Sequence, residues 1–186
     1  MWFEWALFAV ACAAGASIIW STLRLGISPM PSSRAVRRVV LEAVPPGLEG
    51  EVHELGAGWG TLAFALAARC PRARVIAWEA SPVPFAVCWL RARLTPRANL
   101  ELRFADFFTA DLRGARLVVA YLWTGGMERL AQKLDRELGA GAEVLSHTFA
   151  LRGRAPLETR HAGDLYRTPV YRYGGFGGRA RAPTHD

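Results

Sequence analysis

The sequence is short of lysine. Of its 23 basic residues only Lys133 is a lysine, and the others are arginines scattered among many alanines and glycines. A formal net charge of +7 would ordinarily favour a nucleic acid or an anionic membrane as partner. Scattered arginines are also what a GC-rich coding sequence places on a solvated surface. The charge therefore identifies no partner, and the best candidate for a local basic patch is Arg34, Arg37 and Arg38.

Metal-ligand and disulfide patterns are also missing from the sequence. The three cysteines, Cys12, Cys70 and Cys88, form no C-x-x-C pair, and their odd number argues against a disulfide framework. The four histidines form no H-E-x-x-H or related cluster. We therefore expect no metal site, and a reducing compartment for the folded part of the chain.

The length of 186 residues suits one ordinary domain and an appendage. Residues 1–25 form the appendage, because Trp5 to Leu23 is an uncharged run between Glu4 and Arg24. A run of this length matches a bilayer core of roughly 30 Å. Aromatic residues stand near both of its ends, where a membrane interface favours them: Trp2, Phe3, Trp5 and Trp20. The pattern predicts a transmembrane helix over residues 1–25.

The same segment could instead be a cleaved signal peptide, or a soluble or dimerisation helix. A signal peptide would begin with a basic residue, and none precedes the apolar run. The arginines that follow the run predict that the rest of the chain lies in the cytoplasm, on the inner face of a bacterial inner membrane.

The remaining chain alternates between strand-like and helix-like segments. A Pro/Ser-rich breaker over residues 26–33 separates it from the anchor, and a Gly/Arg-rich tail follows from residue 175, so we assign the domain to residues 26–174. The predicted strands are residues 51–55, 74–78, 100–104, 117–122, 143–149 and 165–173, and the predicted helices are residues 34–43, 61–69, 83–93 and 127–138. This alternation predicts an α/β fold with a parallel sheet covered on both faces. The last strand has no strong helix before it, which favours an antiparallel edge.

Three glycines, Gly56, Gly58 and Gly60, follow the first predicted strand at alternate positions, directly after Glu54. A dinucleotide-binding G-x-G-x-x-G motif would need its third glycine at position 61, which is Thr61. An acidic residue before G-x-G-x-G instead suits a cofactor without a pyrophosphate and with a cationic amino-acid end. The alternative is a tight strand-to-helix turn that binds nothing.

Acidic residues follow the next two strands. Glu79 ends the second strand 19 residues after Gly60, the distance at which an acid binds a ribose diol. Asp106 follows the third strand, where it could accept from an adenine amino group while Phe107 or Phe108 packs on the ring. Without a ligand, Glu79 could simply cap its strand and Asp106 could belong to a surface turn.

The fourth strand ends in two aromatic residues, Tyr121 and Trp123, which are the candidates for lining an acceptor pocket. Simple packing would account for them equally well. No Asn/Asp-Pro-Pro-Tyr motif follows this strand.

These segments resemble the small class I, seven-strand S-adenosylmethionine-dependent protein-lysine methyltransferases that carry an N-terminal hydrophobic segment, a group with mitochondrial members and prokaryotic relatives. The likeness covers residues 29–173. It rests on five stretches: Pro-x-Pro-Ser before the first helix, Glu-Leu-Gly-Ala-Gly-Trp-Gly, Trp-Glu-Ala-Ser-Pro, Ala-Asp-Phe-Phe-Thr-Ala-Asp-Leu, and Leu130 to Leu138 leading into Glu-Val-Leu-Ser-His-Thr-Phe.

The resemblance implies a Rossmann-like sheet with strand order 3-2-1-4-5-7-6 and the last strand antiparallel. It implies that S-adenosylmethionine is bound by Glu54, Gly56, Ala57, Gly58, Gly60, Glu79, Ala80, Asp106 and Phe107. The Pro31 segment and strand four would then shape a channel for a lysine of a membrane protein. No general base is evident, although Tyr121 or His147 could assist. A lipid or quinone acceptor, a nucleic-acid acceptor and a silent cofactor-binding module remain alternatives, and the missing Asn/Asp-Pro-Pro-Tyr motif disfavours nucleic acid.

Overall fold

The chain folds as a seven-stranded sheet preceded by a long apolar helix, and a computed structural model describes residues 2–25 and 32–177. The helices are α1 Trp2–Leu25, α2 Arg34–Ala43, α3 Thr61–Arg69, α4 Pro82–Leu94 and α5 Thr124–Glu137. The strands are β1 Gly50–Leu55, β2 Ala73–Glu79, β3 Leu100–Phe104, β4 Ala115–Ala120, β5 Glu143–His147, β6 Glu158–His161 and β7 Pro169–Tyr173. A short 3-10 turn covers Phe107–Thr109. The predicted α/β class is confirmed.

The strand order is β3-β2-β1-β4-β5-β7-β6, as the resemblance implies. Strands β1 to β5 pair in parallel, and β7 runs antiparallel to both β5 and β6. Because Leu55 at the end of β1 pairs with Trp78 and with Ala120, the carboxyl ends of β1, β2 and β4 lie at one edge of the sheet. Open α/β sheets bind ligands at this edge.

The two faces of the sheet carry separate apolar cores. On one face, Val36 and Val40 of α2 and Leu66 of α3 pack against the valines of the central strands. On the other face, Leu130 and Leu134 of α5 pack against β4 and β5. Each helix presents its apolar residues at intervals of three or four, which places them on one side.

Three predicted strand boundaries were wrong. Strand β4 ends at Ala120, the last residue paired with β5, so Tyr121 to Trp123 form the turn that leads into α5. Strand β5 ends at His147, and the next residue, Thr148, has a φ of +68° that breaks the extended backbone. Strand β7 begins only at Pro169.

Strand β6 was missed among the predicted strands. Its four residues, Glu-Thr-Arg-His, are polar, and they form the edge of the sheet beside β7. An edge strand that buries neither face has no apolar alternation to reveal it.

Helix α1 contains a stretch, Trp2–Leu23, that is long and apolar enough to cross a membrane by length and composition. Its first part, residues 2–13, is exposed throughout, whereas its second half is partly buried, and the helix contacts α4. The predicted linker falls mostly on residues 26–31, and most of the predicted tail on residues 178–186, both outside the described residues.

Asn99, the only asparagine in the chain, ties three segments together. Its Nδ2 lies 3.0 to 3.1 Å from the carbonyl oxygens of Ala67, Cys70 and Ala73, to which it donates. These carbonyls belong to the end of α3, the turn after it and the start of β2. The side chain thus gives a donor to the carbonyl of Ala67 at the end of the helix and links it to the turn and to β2.

Replacing Asn99 by alanine should lower the free energy of unfolding by about 1–3 kcal/mol, because the three carbonyls lose the hydrogen bonds of the amide and only that of Cys70 has a backbone donor shown among the described residues, the N–H of Ala73. Asn99→Asp should cost more, since a carboxylate would face three carbonyl oxygens. Urea unfolding measures both, with Gln132→Ala on the exposed side of α5 as a neutral control. An aspartate variant as stable as the wild type would show that the amide bridge does not hold this turn.

Candidate active site at the carboxyl ends of the strands

A cavity of about 530 Å³ opens at the carboxyl edge of β1, β2 and β4. Ten of the eleven residues predicted for the site line it, and Gly60 is the exception. They are Glu54, Gly56, Ala57, Gly58, Glu79, Ala80, Asp106, Phe107, Tyr121 and Trp123. These residues are distant in sequence but close in space, because parallel strands place their carboxyl ends at the same edge of the sheet.

The loop after β1 places bare backbone against the cavity. Gly56 and Gly58 have φ values of +83° and +54°, a conformation that residues with a side chain rarely adopt. An added Cβ at either position would meet no atom of the described residues within 4 Å, so it would project into open space beside the cavity. The N–H groups of Gly56 and Ala57 both donate to the carbonyl oxygen of Trp78, which holds the loop against β2.

Gly60 has a packing role rather than a place on the cavity wall. Its φ is +76°, and a Cβ there would collide with Sγ of Cys88 and lie 3.3 Å from the ring of Phe64. The missing side chain lets the start of α3 approach α4 closely. Helix packing alone therefore explains why position 60 is a glycine.

Glu79 is held by the backbone on both carboxylate oxygens. Its Oε2 accepts from the N–H of Gly58 at 2.7 Å, and its Oε1 accepts from the N–H of Ser81 at 2.6 Å. The side chain is buried at the end of β2 and lines the cavity. Each oxygen keeps a second acceptor site, so the fixed carboxylate can accept two further hydrogen bonds from a ligand.

Glu54 is the least satisfied group in the site. Only 5% of the residue is exposed, and its Oε2 has no hydrogen-bond partner among the residues that the structure describes. Burial, with a smaller contribution from the negative charge of Glu79, raises the pKa of Glu54 to about 8. A buried acceptor without a partner is unfavourable until a cation or a donor reaches it. This carboxyl group fits a positively charged ligand in the cavity.

Asp106 begins the 3-10 turn after β3, where its Oδ1 accepts from the N–H of Phe108 at 2.9 Å. This bond turns Phe107 and Phe108 toward the cavity, with their ring centroids 4.6 Å apart. The guanidinium of Arg129 from α5 lies 3.8 Å from the centroid of Phe108. The region offers a carboxylate and aromatic faces, which suits a flat heterocycle that carries an amino group.

The far end of the cavity is aromatic and almost uncharged. The Tyr121 ring stacks on His147 at a centroid distance of 4.3 Å and more loosely on Phe149. The half-exposed ring of Trp123 lies against the start of α5, and a Cβ at Gly125 or at Gly126 would be in close contact with it.

His147 joins this end of the cavity from the last residue of β5. Its Nε2 lies 3.0 Å from Oγ of Ser32 and its Nδ1 lies 3.2 Å from Oγ1 of Thr148. Burial lowers the pKa of His147 to about 4, so the imidazole is neutral near neutral pH. Both ring nitrogens face hydroxyl groups, which can donate or accept according to the tautomer.

Two wall residues were not predicted, namely Arg129 of α5 and Leu23 near the end of α1. Nothing in the local pattern marks them, because they reach the cavity through the packing of these helices. Ser32 and Leu122 also line the cavity, and they belong to the Pro31 segment and to predicted strand four, which the resemblance had assigned to the acceptor channel. Among residues 2–25 and 32–177, no three histidine, cysteine or acidic side chains are grouped to hold a metal ion.

Comparison with known proteins relates this arrangement to methyl transfer. Residues 54–158, more than half of the chain, match the family model of the ANTKMT methyltransferase domain. A protein-lysine N-methyltransferase of Saccharolobus islandicus is 29% identical over 138 residues, which are 73% of this chain and 84% of the relative. A release factor glutamine methyltransferase of Moorella thermoacetica is 37% identical over 69% of this chain, but the chain spans only 49% of that relative.

Solved structures agree with the sequence relatives. An RNA methyltransferase from Salinibacter ruber in complex with S-adenosyl-L-homocysteine superposes with a TM-score of 0.71 and 26% identity, over 82% of this chain and 98% of that one. A precorrin-6y C5,15-methyltransferase from Geobacter metallireducens shares the fold with a TM-score of 0.59 at 18% identity, over 76% of this chain and 87% of that one.

The burial of Glu54 predicts a pH-dependent stability. Because its pKa rises from 4.5 to about 8 on folding, the folded state binds the proton more tightly than the unfolded state. The contribution of Glu54 to the free energy of unfolding is therefore most favourable below pH 4.5, falls as the pH rises toward 8, and stays constant above pH 8. Glu54→Gln cannot ionise. Between pH 5 and pH 8, the free energy of unfolding of the variant should therefore increase relative to that of the wild type by about 2 kcal/mol or more.

Denaturant unfolding of the ligand-free protein at several pH values measures this difference. Glu49→Gln, which alters an exposed carboxylate, should follow the wild type at every pH. A gap between Glu54→Gln and the wild type that stays constant with pH would contradict the raised pKa.

Proposed function

Because the chain belongs to the family of ANTKMT methyltransferase domains, we propose that α1 anchors it in a membrane and that it methylates a lysine side chain of a protein. The chain is an S-adenosylmethionine-dependent methyltransferase of the class I fold. The anchor, the acceptor and the individual binding residues are our proposal.

The residues of the cavity fit S-adenosylmethionine, which supplies a methyl group on a positively charged sulfonium. Glu54, buried and without a partner on Oε2 among the described residues, is placed to meet the cationic amino-acid end. Glu79, fixed by two backbone N–H groups, keeps acceptor sites for the two ribose hydroxyls. Asp106 and Phe107 would bind the adenine. The remaining contacts come from backbone that lines the cavity at Gly56, Ala57, Gly58 and Ala80.

The observation that carries the acceptor assignment is the aromatic turn Tyr121-Leu122-Trp123 after β4. An amide or a base amino group is a poor nucleophile, and its N–H groups need acceptors at the reaction centre. This turn offers neither an asparagine nor an acid. The glutamine acceptor that one relative's name indicates and the RNA acceptor of a structural neighbour therefore lack support here.

A lysine acceptor needs what this end of the cavity offers. The nucleophile is the neutral amine, so the site must lower the pKa of the ammonium group, and apolar walls do this by desolvation. His147 is neutral near neutral pH, so it does not repel the arriving ammonium. Tyr121 and Trp123 line the wall beside it and hold the side chain in line.

A lipid or quinone acceptor is the second candidate, because Leu23 of the apolar helix α1 forms part of the cavity wall. Such a molecule could reach the cavity from a bilayer. It would meet the same aromatic residues.

Incubating the full-length enzyme in host membranes with S-adenosylmethionine labelled in its methyl group should place the label on a protein, at a lysine Nζ. Peptide mass spectrometry locates the methyl group, and replacing that lysine of the acceptor by arginine should abolish labelling. The rate should rise with pH up to the pKa of the bound lysine. Label recovered in a lipid extract would favour the second candidate, and label on glutamine would contradict both.

Two substitutions at one position test the aromatic wall. Tyr121→Phe keeps the ring that stacks on His147 and should retain most of the activity. Tyr121→Ala should lower kcat/KM by about 10-fold or more, because the acceptor is held less firmly. The affinity for S-adenosylmethionine should stay nearly constant in both. An equal loss of cofactor affinity would place Tyr121 in the cofactor site instead.

A further inference from the structure

Helix α1 does not extend freely from the domain. Residues 2–13 are exposed, whereas six positions in its second half are partly or fully buried: Ala14, Gly15, Ser17, Ile18, Ser21 and Thr22. Helix α1 also contacts helix α4 of the domain. At 1.5 Å per residue, the exposed part is about 18 Å long. It is too short by itself for a hydrocarbon core of about 30 Å.

The second half of α1 must therefore enter the bilayer if the helix spans it. The domain surface that packs along this half then lies at the level of the membrane. That surface includes α4, so the geometry of α1 gives α4 a position relative to the lipid.

The outer face of α4 has the composition that a membrane interface requires. Four of its large apolar side chains are exposed, namely Val87, Trp89, Leu90 and Leu94, and Leu94 is 74% exposed. Phe104 on the neighbouring edge strand β3 is exposed as well. Single exposed apolar residues are common on soluble proteins, but a group of this size on one helix and its neighbour suggests an apolar partner.

Positive charge accompanies this apolar face. From Ala80 to Leu100 the chain contains no acidic residue, and Arg91, Arg93 and Arg97 fall within the stretch. The Arg93 guanidinium lies 4.6 Å from the centroid of the Trp89 ring. Arginine and tryptophan beside leucine are typical of helices that lie in the headgroup region of anionic bilayers.

We propose that α4, with the adjoining edge of β3, lies in the headgroup layer of an anionic lipid bilayer beside α1. This inference rests on the proposed anchoring by α1 and goes beyond it, because an anchor alone would not fix the orientation of the domain at the membrane surface. Leu23 of α1 lines the cavity, so the cavity mouth lies near the same surface. The acceptor lysine is then one that stands at the membrane surface.

Depth-dependent quenching in vesicles tests the inference on the full-length chain. Vesicles of phosphatidylcholine and phosphatidylglycerol carry a spin-labelled lipid, and an environment-sensitive fluorophore is attached to one cysteine at a time. Native Cys12 reports on α1, since Cys70 and Cys88 are buried. In a Cys12→Ser background, Leu94→Cys reports on α4 and Gln132→Cys reports on the exposed side of α5. We expect lipid quenching at positions 12 and 94 and none at position 132.

The outcomes separate this inference from the anchoring on which it rests. Quenching at position 12 but not at position 94 would overturn the contact of α4 and leave the anchor intact. Absence of quenching at both positions would remove the anchor as well. A blue-shifted fluorophore at position 94 that lipid does not quench would mean that protein, for example a second copy of the chain, covers α4.

A charge substitution provides the matched control. With the fluorophore at Val87→Cys, the double change Leu90→Glu and Leu94→Glu should lower lipid quenching several-fold, because carboxylates are repelled by anionic headgroups. Leu165→Glu, at a fully exposed leucine elsewhere on the domain, should leave the quenching unchanged. Equal quenching in the double variant would overturn the proposal.

Discussion

Two acidic side chains are buried at the ends of neighbouring strands, and the glycine loop between them gives hydrogen bonds to only one of the two. Glu79 is stabilised because a loop without side chains brings the N–H of Gly58 within 2.7 Å of it. Glu54 has no such compensation and keeps its proton up to a pH of about 8. Burial of Glu54 costs folding free energy, which a cationic ligand recovers on binding. The site is therefore less stable empty than filled, as is common where function overrides local stability.

This electrostatic arrangement distinguishes the site from that of a dinucleotide enzyme. A pyrophosphate would bring negative charge to the loop beside Glu54, whereas a sulfonium and an ammonium bring positive charge. The loop and the acids thus select for one charge type, in agreement with the methyltransferase family.

Local patterns brought out residues that line one end of the cavity, because these residues directly follow strands. The glycines, Glu79 and Asp106 each stand where a strand ends, and parallel pairing brings such ends together. The aromatic end of the cavity was harder to predict. The stacking of Tyr121 on His147 joins β4 to β5, and Ser32 and Arg129 arrive from other parts of the chain. Strand β6 was not predicted, because its polar edge residues show no alternation of apolar and polar side chains. What could not be predicted therefore depends on long-range packing.

The most direct test of the role given to the buried carboxylates is a calorimetric titration of the full-length protein with S-adenosylmethionine, with NAD as control ligand. We expect binding of S-adenosylmethionine and none of NAD. Glu79→Ala should lose at least about 10-fold in affinity, since it removes charge-assisted hydrogen bonds. Glu49→Ala, at an exposed ion pair, should bind like the wild type. A folded Glu79→Ala variant that binds S-adenosylmethionine with unchanged affinity would contradict that role.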